Sequence, residues 1–228
     1  SFLSPLLWLQ AAFGKVTPEV ARNRRGYPTA QVPDGPVIWV HAASLGELTA
    51  VRPVLRHLSG RYPRHHLLVT VNNPRALSVA EGWPDVRLIG QAAPADVPRM
   101  VRRFLRAWQP VAFINVEAEL WPNRFAAIAD ARIPAIFLNA RLSDKSLGMV
   151  KRFGTSAMHL DHFSHFFAQS AATTANLQAL GLPAERIETT ENLKALVELP
   201  EPHGPLARLL DRSDTILAAS THAPEEAS

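Results

Sequence analysis

Residues 37–47 have the sequence VIWVHAASLGE, in which a short apolar run leads through small residues into polar ones. The apolar run, residues 37–41, predicts a buried strand, and Ser44 predicts the start of a helix that extends towards Leu58. The small residues between strand and helix would let a ligand approach the backbone closely. This strand-to-helix unit is the pattern from which we predict the fold.

The same alternation of short apolar runs and helical patterns continues along the chain. Further strands are predicted at residues 67–71, 86–89, 111–116, 135–138 and 163–168. Helices are predicted around residues 75–81, 97–108, 121–131, 143–158 and 173–180. Short apolar strands separated by helices predict an α/β fold, a Rossmann-like parallel sheet with helices on both faces. Such sheets bind ligands at the carboxyl ends of their strands.

The composition excludes several classes of protein. The chain has 228 residues, of which 47% are hydrophobic, so it can bury a substantial core. It has no cysteine, which excludes disulfides, thiolate metal sites and a cysteine nucleophile. The formal net charge of +4 mildly favours anionic partners. The sequence contains no recognised nucleic-acid-binding module, and we expect no nucleic acid partner.

Apolar stretches and prolines indicate how the chain is organised. No run approaches the roughly 18 apolar residues that span a bilayer. The apolar residues 2–13 suit either a helix packed on its own domain or a segment at a membrane surface. Residues 199–206 contain several prolines and predict a linker. We therefore predict one domain at 1–198, followed by the beginning of an incomplete second domain at 207–228.

Glu47 has two interpretations that the residues alone leave open. A carboxylate in a cleft near a helix start could accept the proton of a sugar hydroxyl as that hydroxyl attacks. Ser44 and Glu47 also have the spacing of a capping box, which satisfies amide groups at a helix N-terminus. On spacing alone, the cap is favoured over the base.

Polar residues also follow two later predicted strands. Glu117 and Glu119 come after the strand at 111–116 and could orient hydroxyl groups, or they could favour a helix N-terminus. Arg141 follows the strand at 135–138, at the edge where ligands bind. These residues are candidates for a binding site at the carboxyl edge of the sheet.

One predicted helix has a basic face. Its arginines, spaced to share one side of the helix, are Arg99, Arg102, Arg103 and Arg106. Such a face is typical of a solvated helix, and it also suits phosphate groups or anionic lipid. The spacing of His159, His162 and His165 is only loosely compatible with a metal site, and the neighbouring phenylalanines indicate core packing, so we expect no metal.

Several segments occur in an order that is specific. They are WVHAASLGE (39–47), PADVPRMVRRFL (94–105), EAELWPN (117–123), NARLS (139–143), NLK (192–194) and ASTH (219–222). Taken together, they resemble the 3-deoxy-D-manno-octulosonic acid (Kdo) transferases of Gram-negative lipopolysaccharide assembly. The resemblance covers nearly the whole chain.

The resemblance implies the N-terminal half of a GT-B glycosyltransferase, in which two Rossmann-like domains face each other across a cleft. It implies CMP-Kdo as the donor, a lipid A precursor as the acceptor and no cofactor. It also implies a place at the cytoplasmic face of the bacterial inner membrane, whose anionic surface would be a further partner. Glu47 would be the general base that deprotonates the acceptor hydroxyl, which attacks the anomeric carbon with inversion as CMP leaves.

The resemblance also implies a set of binding residues. Those for the acceptor are Ser44, Gly46, Glu117, Glu119, Arg141, Arg102 and Arg103. Those for the donor are Asn192, Lys194, Ser220, Thr221 and His222. Because most donor contacts in this fold come from the second domain, we expect this chain to be inactive alone.

Three positions depart from the family pattern. Asn72 lies where a threonine-rich run is usual, and Glu191 and Pro224 lie where glycine is usual. Glycine permits backbone conformations that glutamate and proline do not, so the amides near a bound anion could differ. Three functions stay open: a Kdo transferase half, a noncatalytic acceptor- or membrane-binding module, and a divergent nucleotide-sugar enzyme such as an epimerase.

Overall fold

A computed structural model describes residues 17–117, 120–142, 144–156 and 158–197. Its centre is a seven-stranded sheet in which all neighbouring strands are parallel. The strands are β1 (Val37–His41), β2 (His66–Val71), β3 (Leu88–Ala92), β4 (Pro110–Val116), β5 (Ala135–Ala140), β6 (His165–Ala168) and β7 (Ile187–Thr189). The helices are α1 (Pro18–Arg24), α2 (Leu45–Arg61), α3 (Arg75–Glu81), α4 (Pro98–Trp108), α5 (Pro122–Asp130), α6 (Asp144–Phe153) and α7 (Ala171–Ala179). The short 3₁₀ turns are Leu160–His162, Ala184–Arg186 and Leu193–Leu196. This architecture confirms the predicted Rossmann-like fold.

The order of the strands places a crevice near the middle of the sheet. The order is β3-β2-β1-β4-β5-β6-β7, so the chain moves outwards from β1 to β3 and then returns to lay β4 on the other side of β1. At such a switch point the connections leave the carboxyl ends in opposite directions, which opens a crevice between them. The candidate site is therefore expected at the carboxyl ends of β1 and β4.

Alternate residues of each strand enter two separate cores, because successive side chains of a strand point to opposite faces. Trp39 packs in the first core, where its ring centroid lies 4.5 Å from those of both Phe104 of α4 and Phe113 of β4. Val40 packs in the second core against α2. Both faces of β1 are thus buried, which explains its uniformly apolar sequence.

Some predicted boundaries were wrong, and packing explains why. The strand predicted at 86–89 begins and ends later than predicted. It is β3, Leu88–Ala92, and its bounds are those of the residues that pair with β2. Gly90 within β3 is required by close packing, since a Cβ there would lie 2.8 Å from the Leu77 side chain. The helix predicted at 143–158 ends earlier, at Phe153, where Gly154 adopts a left-handed backbone (φ 84°). Neither α1 nor β7 was predicted.

Within the described ranges, no helix has the length and apolar character needed to cross a membrane. The apolar segment 2–13, the predicted linker 199–206 and the predicted second-domain start 207–228 lie outside the described residues.

Candidate active site

The loop between β1 and α2 is fixed by backbone hydrogen bonds to the end of β2. The Ala42 N–H donates to the Thr70 carbonyl oxygen (3.0 Å), and the Asn72 N–H donates to the Ala43 carbonyl oxygen (3.0 Å). These bonds continue the β1–β2 ladder beyond the last residue of β1. The start of α2 is therefore held in place from its first residue.

Glu47 lies in the first turn of α2 and is only 9% exposed. Its Oε2 accepts a hydrogen bond from the Ala43 N–H (2.7 Å), and its own N–H donates to the Ser44 Oγ (3.3 Å). These two bonds cap the helix as predicted, although the carboxylate accepts from Ala43, the residue before the N-cap, rather than from Ser44 as in a capping box. They also orient the carboxylate at the carboxyl edge of the sheet, beside the switch point. The role of Glu47 as a base stays a prediction.

The first turn of α2 is open next to this carboxylate. Ser44 and Gly46 are both exposed. A Cβ added at Gly46 would have only the Ser44 Oγ nearby among the described atoms, at 3.9 Å. A ligand can therefore approach the backbone here, and the acceptor-binding role of these two residues stays a prediction.

A row of buried polar residues crosses the sheet beneath this loop, and sequence reasoning missed it. In the strand register His41 lies opposite both Thr70 and Asn115, and Thr70 lies opposite Gln91. The Thr70 hydroxyl accepts from the Trp39 Nε1–H (2.8 Å), and its oxygen lies 3.0 Å from the His41 Nδ1. The available signal was that each residue is a polar side chain near the carboxyl end of an apolar strand.

Glu117 and Lys194, which were predicted for opposite substrates, form an ion pair. The Lys194 Nζ lies 2.8 Å from the Glu117 Oε1. The side chain of Glu117 is 7% exposed and that of Lys194 is 47% exposed. The buried carboxylate is therefore neutralised by an ammonium group that still faces solvent.

Asn139, at the end of β5, joins this ion pair to the 192–194 segment. Its Nδ2 donates to the Glu117 Oε1 and to the Asn192 Oδ1, both at 3.3 Å, and its Oδ1 accepts from the Leu193 N–H (3.1 Å). Asn192 in turn accepts from the backbone N–H of Lys194 (3.0 Å). We call Glu117, Asn139, Asn192 and Lys194 the strand-end network. Sequence reasoning missed Asn139 as its centre.

Arg141 lies beside this network, and its side chain is exposed. Its backbone N–H donates to the Glu117 carbonyl oxygen (3.5 Å), which continues the β4–β5 ladder. The structure therefore places Arg141 at the predicted edge with its guanidinium accessible from solvent.

The arginines of α4 divide into two groups. Arg103 is half-buried: it donates to the Arg25 carbonyl oxygen (2.7 Å), and its guanidinium lies 4.2 Å from the centroid of the Tyr27 ring. These contacts join α4 to the end of α1. Arg99, Arg102 and Arg106 are exposed. The basic face available to a partner therefore contains three arginines rather than four.

Two of the matched segments are joined by a helix cap that sequence reasoning did not find. The Asp96 carboxylate accepts from the backbone N–H groups of Asn123 (3.2 Å) and Arg124 (2.7 Å), at the start of α5. Arg124 is 1% exposed, and its guanidinium lies 5.0 Å from the Trp121 ring centroid. Asp96 therefore stabilises the start of α5 from outside the helix.

Other predicted residues have structural partners or lie outside the described part of the chain. The His162 Nε2 lies 2.7 Å from the Ile133 carbonyl oxygen, as expected for a ring N–H that donates to it. Among the described residues, no three histidine, aspartate or glutamate side chains are grouped as metal ligands.

Of the remaining predicted residues, some lie outside the described part of the chain: Glu119, Ser220, Thr221, His222 and Pro224. Asn72 and Glu191 are described: Asn72 lies in the loop after β2, where its carbonyl oxygen accepts from the Arg24 guanidinium, and Glu191 is exposed.

Sequence comparisons identify relatives over the same part of the chain. Residues 19–197 match the family model of 3-deoxy-D-manno-octulosonic-acid transferase. The "Probable 3-deoxy-D-manno-octulosonic acid transferase, mitochondrial" of Arabidopsis thaliana is 36% identical over 181 residues, which cover 77% of this chain and 40% of the relative. The 3-deoxy-D-manno-octulosonic acid transferase of Haemophilus influenzae is 30% identical over 212 residues, which cover 88% and 48%. This chain thus spans less than half the length of these relatives.

Structure comparison supports the fold independently. A putative UDP-N-acetylglucosamine 2-epimerase from Listeria monocytogenes superposes with a TM-score of 0.54 over 77% of this chain and 51% of that chain, at 13% sequence identity. At this identity the likeness shows the fold alone. The fold corresponds to about half of that chain, as expected for one half of a GT-B protein.

Proposed function

This chain belongs to the 3-deoxy-D-manno-octulosonic-acid transferase family, and on that premise we propose that it forms the acceptor-side half of a glycosyltransferase. In this proposal the enzyme moves Kdo from CMP-Kdo to a lipid A precursor by a single inverting displacement. CMP-Kdo is a substrate, and no resident cofactor takes part.

The position of Glu47 carries this proposal. Its carboxylate lies at the switch point of the sheet, and the Ala43 N–H fixes the orientation of Oε2. A carboxylate has more than one lone pair available as a hydrogen-bond acceptor, so the cap and a bound hydroxyl are compatible. In the proposed reaction Glu47 accepts the proton of the acceptor hydroxyl as its oxygen bonds to the anomeric carbon of Kdo. The bond from that carbon to the CMP phosphate breaks, and CMP leaves.

The acceptor would lie along the exposed polar groups at this edge. We assign Ser44 and Gly46 to its approach at the start of α2, and Arg141 to an anionic group of the acceptor, because all three are exposed at the same edge of the sheet. Donor contacts are proposed for Ser220, Thr221 and His222 of the predicted second domain, and an anionic group of one of the two substrates is proposed as the ligand of Lys194. The ion pair of the strand-end network joins Lys194 to Glu117, which was predicted for the acceptor.

The exposed arginines of α4 are proposed to contact the anionic surface of the inner membrane from the cytoplasmic side. Each arginine near such a surface contributes roughly 1 kcal/mol to binding, so replacing all three by glutamine should weaken vesicle binding by roughly 100-fold. Cosedimentation with vesicles that contain phosphatidylglycerol measures this. Arg103→Gln is the matched control, and it should lower thermal stability while leaving vesicle binding nearly unchanged. Equal binding by the triple variant and the wild type would exclude this surface.

The test of the reaction is mass spectrometry of a lipid A precursor after incubation with CMP-Kdo and the protein at its full natural length. We expect a Kdo adduct from the wild type and loss of roughly 10²- to 10⁴-fold in rate for Glu47→Gln, which keeps an oxygen for the Ala43 N–H. Glu81→Gln, at an exposed position of α3, is the control and should retain the wild-type rate.

Turnover by Glu47→Gln within tenfold of the wild type would show that Glu47 is not the base. If the folded full-length protein forms no adduct, the two other functions are distinguished by binding to the lipid acceptor alone and by conversion of a nucleotide sugar in the absence of lipid.

A further inference from the structure

We propose that Lys194 contacts an anionic group of a substrate at the carboxyl edge of the sheet, and that Glu117 and Asn139 are positioning residues that hold its ammonium group. The inference rests on the proposed function and deepens it. Two sources of the anion are compatible with that function: the carboxylate of the sugar-acid donor and a phosphate of the acceptor.

The ammonium group of Lys194 has donors to spare. A protonated lysine has three N–H donors and no acceptor. One is directed to the Glu117 Oε1 at 2.8 Å, and within the described part of the chain the ammonium group makes no other hydrogen bond. With 47% of its side chain exposed, Lys194 can direct the remaining donors to a ligand.

Glu117 is poorly placed to bind the acceptor itself, although the family resemblance suggested that role. Its side chain is 7% exposed, and its Oε1 accepts from both Lys194 and Asn139. A carboxylate of this kind orients its cationic partner more readily than it reaches a hydroxyl of a bound substrate. We therefore assign Glu117 to positioning and Lys194 to substrate contact.

The backbone supports a functional role for the network. Glu117 has φ 59° and Asn139 has φ 52°, both in the left-handed region. This conformation is uncommon for residues other than glycine, although asparagine tolerates it better than glutamate does. Its occurrence at the ends of two neighbouring strands, β4 and β5, points to a function for the side chains that it directs together.

The network also lies close to the proposed base in the fold. The turn Leu193–Leu196 packs against α2, whose first turn contains Glu47. Both therefore lie at the carboxyl edge, on elements that contact each other. An anion bound by Lys194 would therefore lie at the same edge of the sheet as the proposed base.

Glu117→Gln has two opposing effects on anion binding. It removes a negative charge, which favours an incoming anion, and it releases the lysine side chain, whose rotamer freedom must then be lost when a ligand binds. The incoming anion binds at the half-exposed end of the lysine side chain, where solvent and salt screen its repulsion from the buried carboxylate. We therefore expect weaker binding, by roughly three- to tenfold.

The experiment is isothermal titration of the full-length protein with two probes, free Kdo and inorganic phosphate, at physiological ionic strength. Lys194→Met should weaken binding of one probe by about 10- to 100-fold, the factor that a hydrogen bond to a charged group contributes. The probe affected identifies the source: Kdo indicates the donor carboxylate, and phosphate indicates the acceptor. Lys151→Met, at an exposed position of α6, removes the same charge and should leave both affinities unchanged.

The double variant Glu117→Gln/Lys194→Met separates positioning from stability. Lys194→Met leaves a buried carboxylate without its cation and should lower the melting temperature, and the second substitution should restore it without restoring anion binding. If the double variant recovered anion binding together with stability, the inference would be overturned. Unchanged affinities in Lys194→Met would also overturn it, and so would the absence of binding of either probe by the wild type. Tighter binding by Glu117→Gln would overturn the positioning role. These titrations do not require transfer, so their failure is distinct from failure of the proposed reaction.

Discussion

Asp96→Ala should destabilise the protein substantially, although Asp96 is neither in the hydrophobic core nor among the predicted site residues. The Asp96 carboxylate accepts from two backbone N–H groups at the start of α5, at 2.7 Å and 3.2 Å, and from the Asn123 Nδ2 at 3.2 Å. Alanine removes all three bonds at once. The amides then have to be satisfied by water in a half-buried position.

The expected magnitude follows from these contacts. Asp96 is not the N-cap residue, but it satisfies the helix N-terminal N–H groups as an N-cap side chain does. Loss of such a cap costs about 1 kcal/mol, and further hydrogen bonds to a charged group add to that. Because the contributions are not additive and Asp96 is only half-buried, we expect a loss of about 2 to 3 kcal/mol in the free energy of unfolding. For a chain of this size the melting temperature should fall by roughly 4 to 12 °C. Asp96→Asn keeps one oxygen acceptor and should lose about 1 kcal/mol.

Urea denaturation followed by circular dichroism measures these differences. The matched control is Asp130→Ala, at the exposed C-terminal end of the same helix. An acidic residue there opposes the helix dipole, so its removal should change stability by less than about 0.5 kcal/mol, in the stabilising direction. Equal destabilisation by Asp96→Ala and Asp130→Ala would refute the cap argument, and so would a loss below about 0.5 kcal/mol for Asp96→Ala.

Two further predictions concern the surface and the backbone. The hydrogen bond from Arg52 lowers the pKa of Asp85 below its ordinary value of 3.8. The stabilisation that this ion pair gives the folded protein is fully present above pH 3.8 and is lost as the pH falls through the lowered pKa. Melting curves from pH 6 to 2 should therefore show a smaller acid-induced loss for Asp85→Asn than for the wild type, and identical pH profiles would contradict the ion pair. Gly26→Ala should destabilise the protein by about 3 kcal/mol or more, because Gly26 has φ 83° and a Cβ would lie 2.1 Å from the Met100 carbonyl oxygen. Gly60→Ala, in open space on α2, should instead stabilise it by up to about 1 kcal/mol, and thermal melts that give both variants the same sign would contradict this contrast.

The sequence predicted those elements in which burial produces a regular pattern of apolar residues. β1 was predicted with its observed bounds because every one of its residues is buried, which gives an uninterrupted apolar run. α4 was predicted to within one residue because its buried residues recur at helical spacing along one side. β7 was not predicted because it is a three-residue edge strand in which two residues are exposed, so its sequence carries no apolar signal.

The sequence predicted only some of the contacts within the site, because the other contacts depend on the order of the strands and on the path of the chain between them. Glu117 and Asn139 end neighbouring strands, so their proximity follows once the order of β4 and β5 is known. Lys194 follows β7, the outermost strand, and a sequence pattern does not reveal that the chain then returns to the end of β4. The family resemblance, which assigns roles motif by motif, had placed Glu117 with the acceptor and Lys194 with the donor. Because the two side chains form an ion pair, a substitution of either one removes the charged partner of the other.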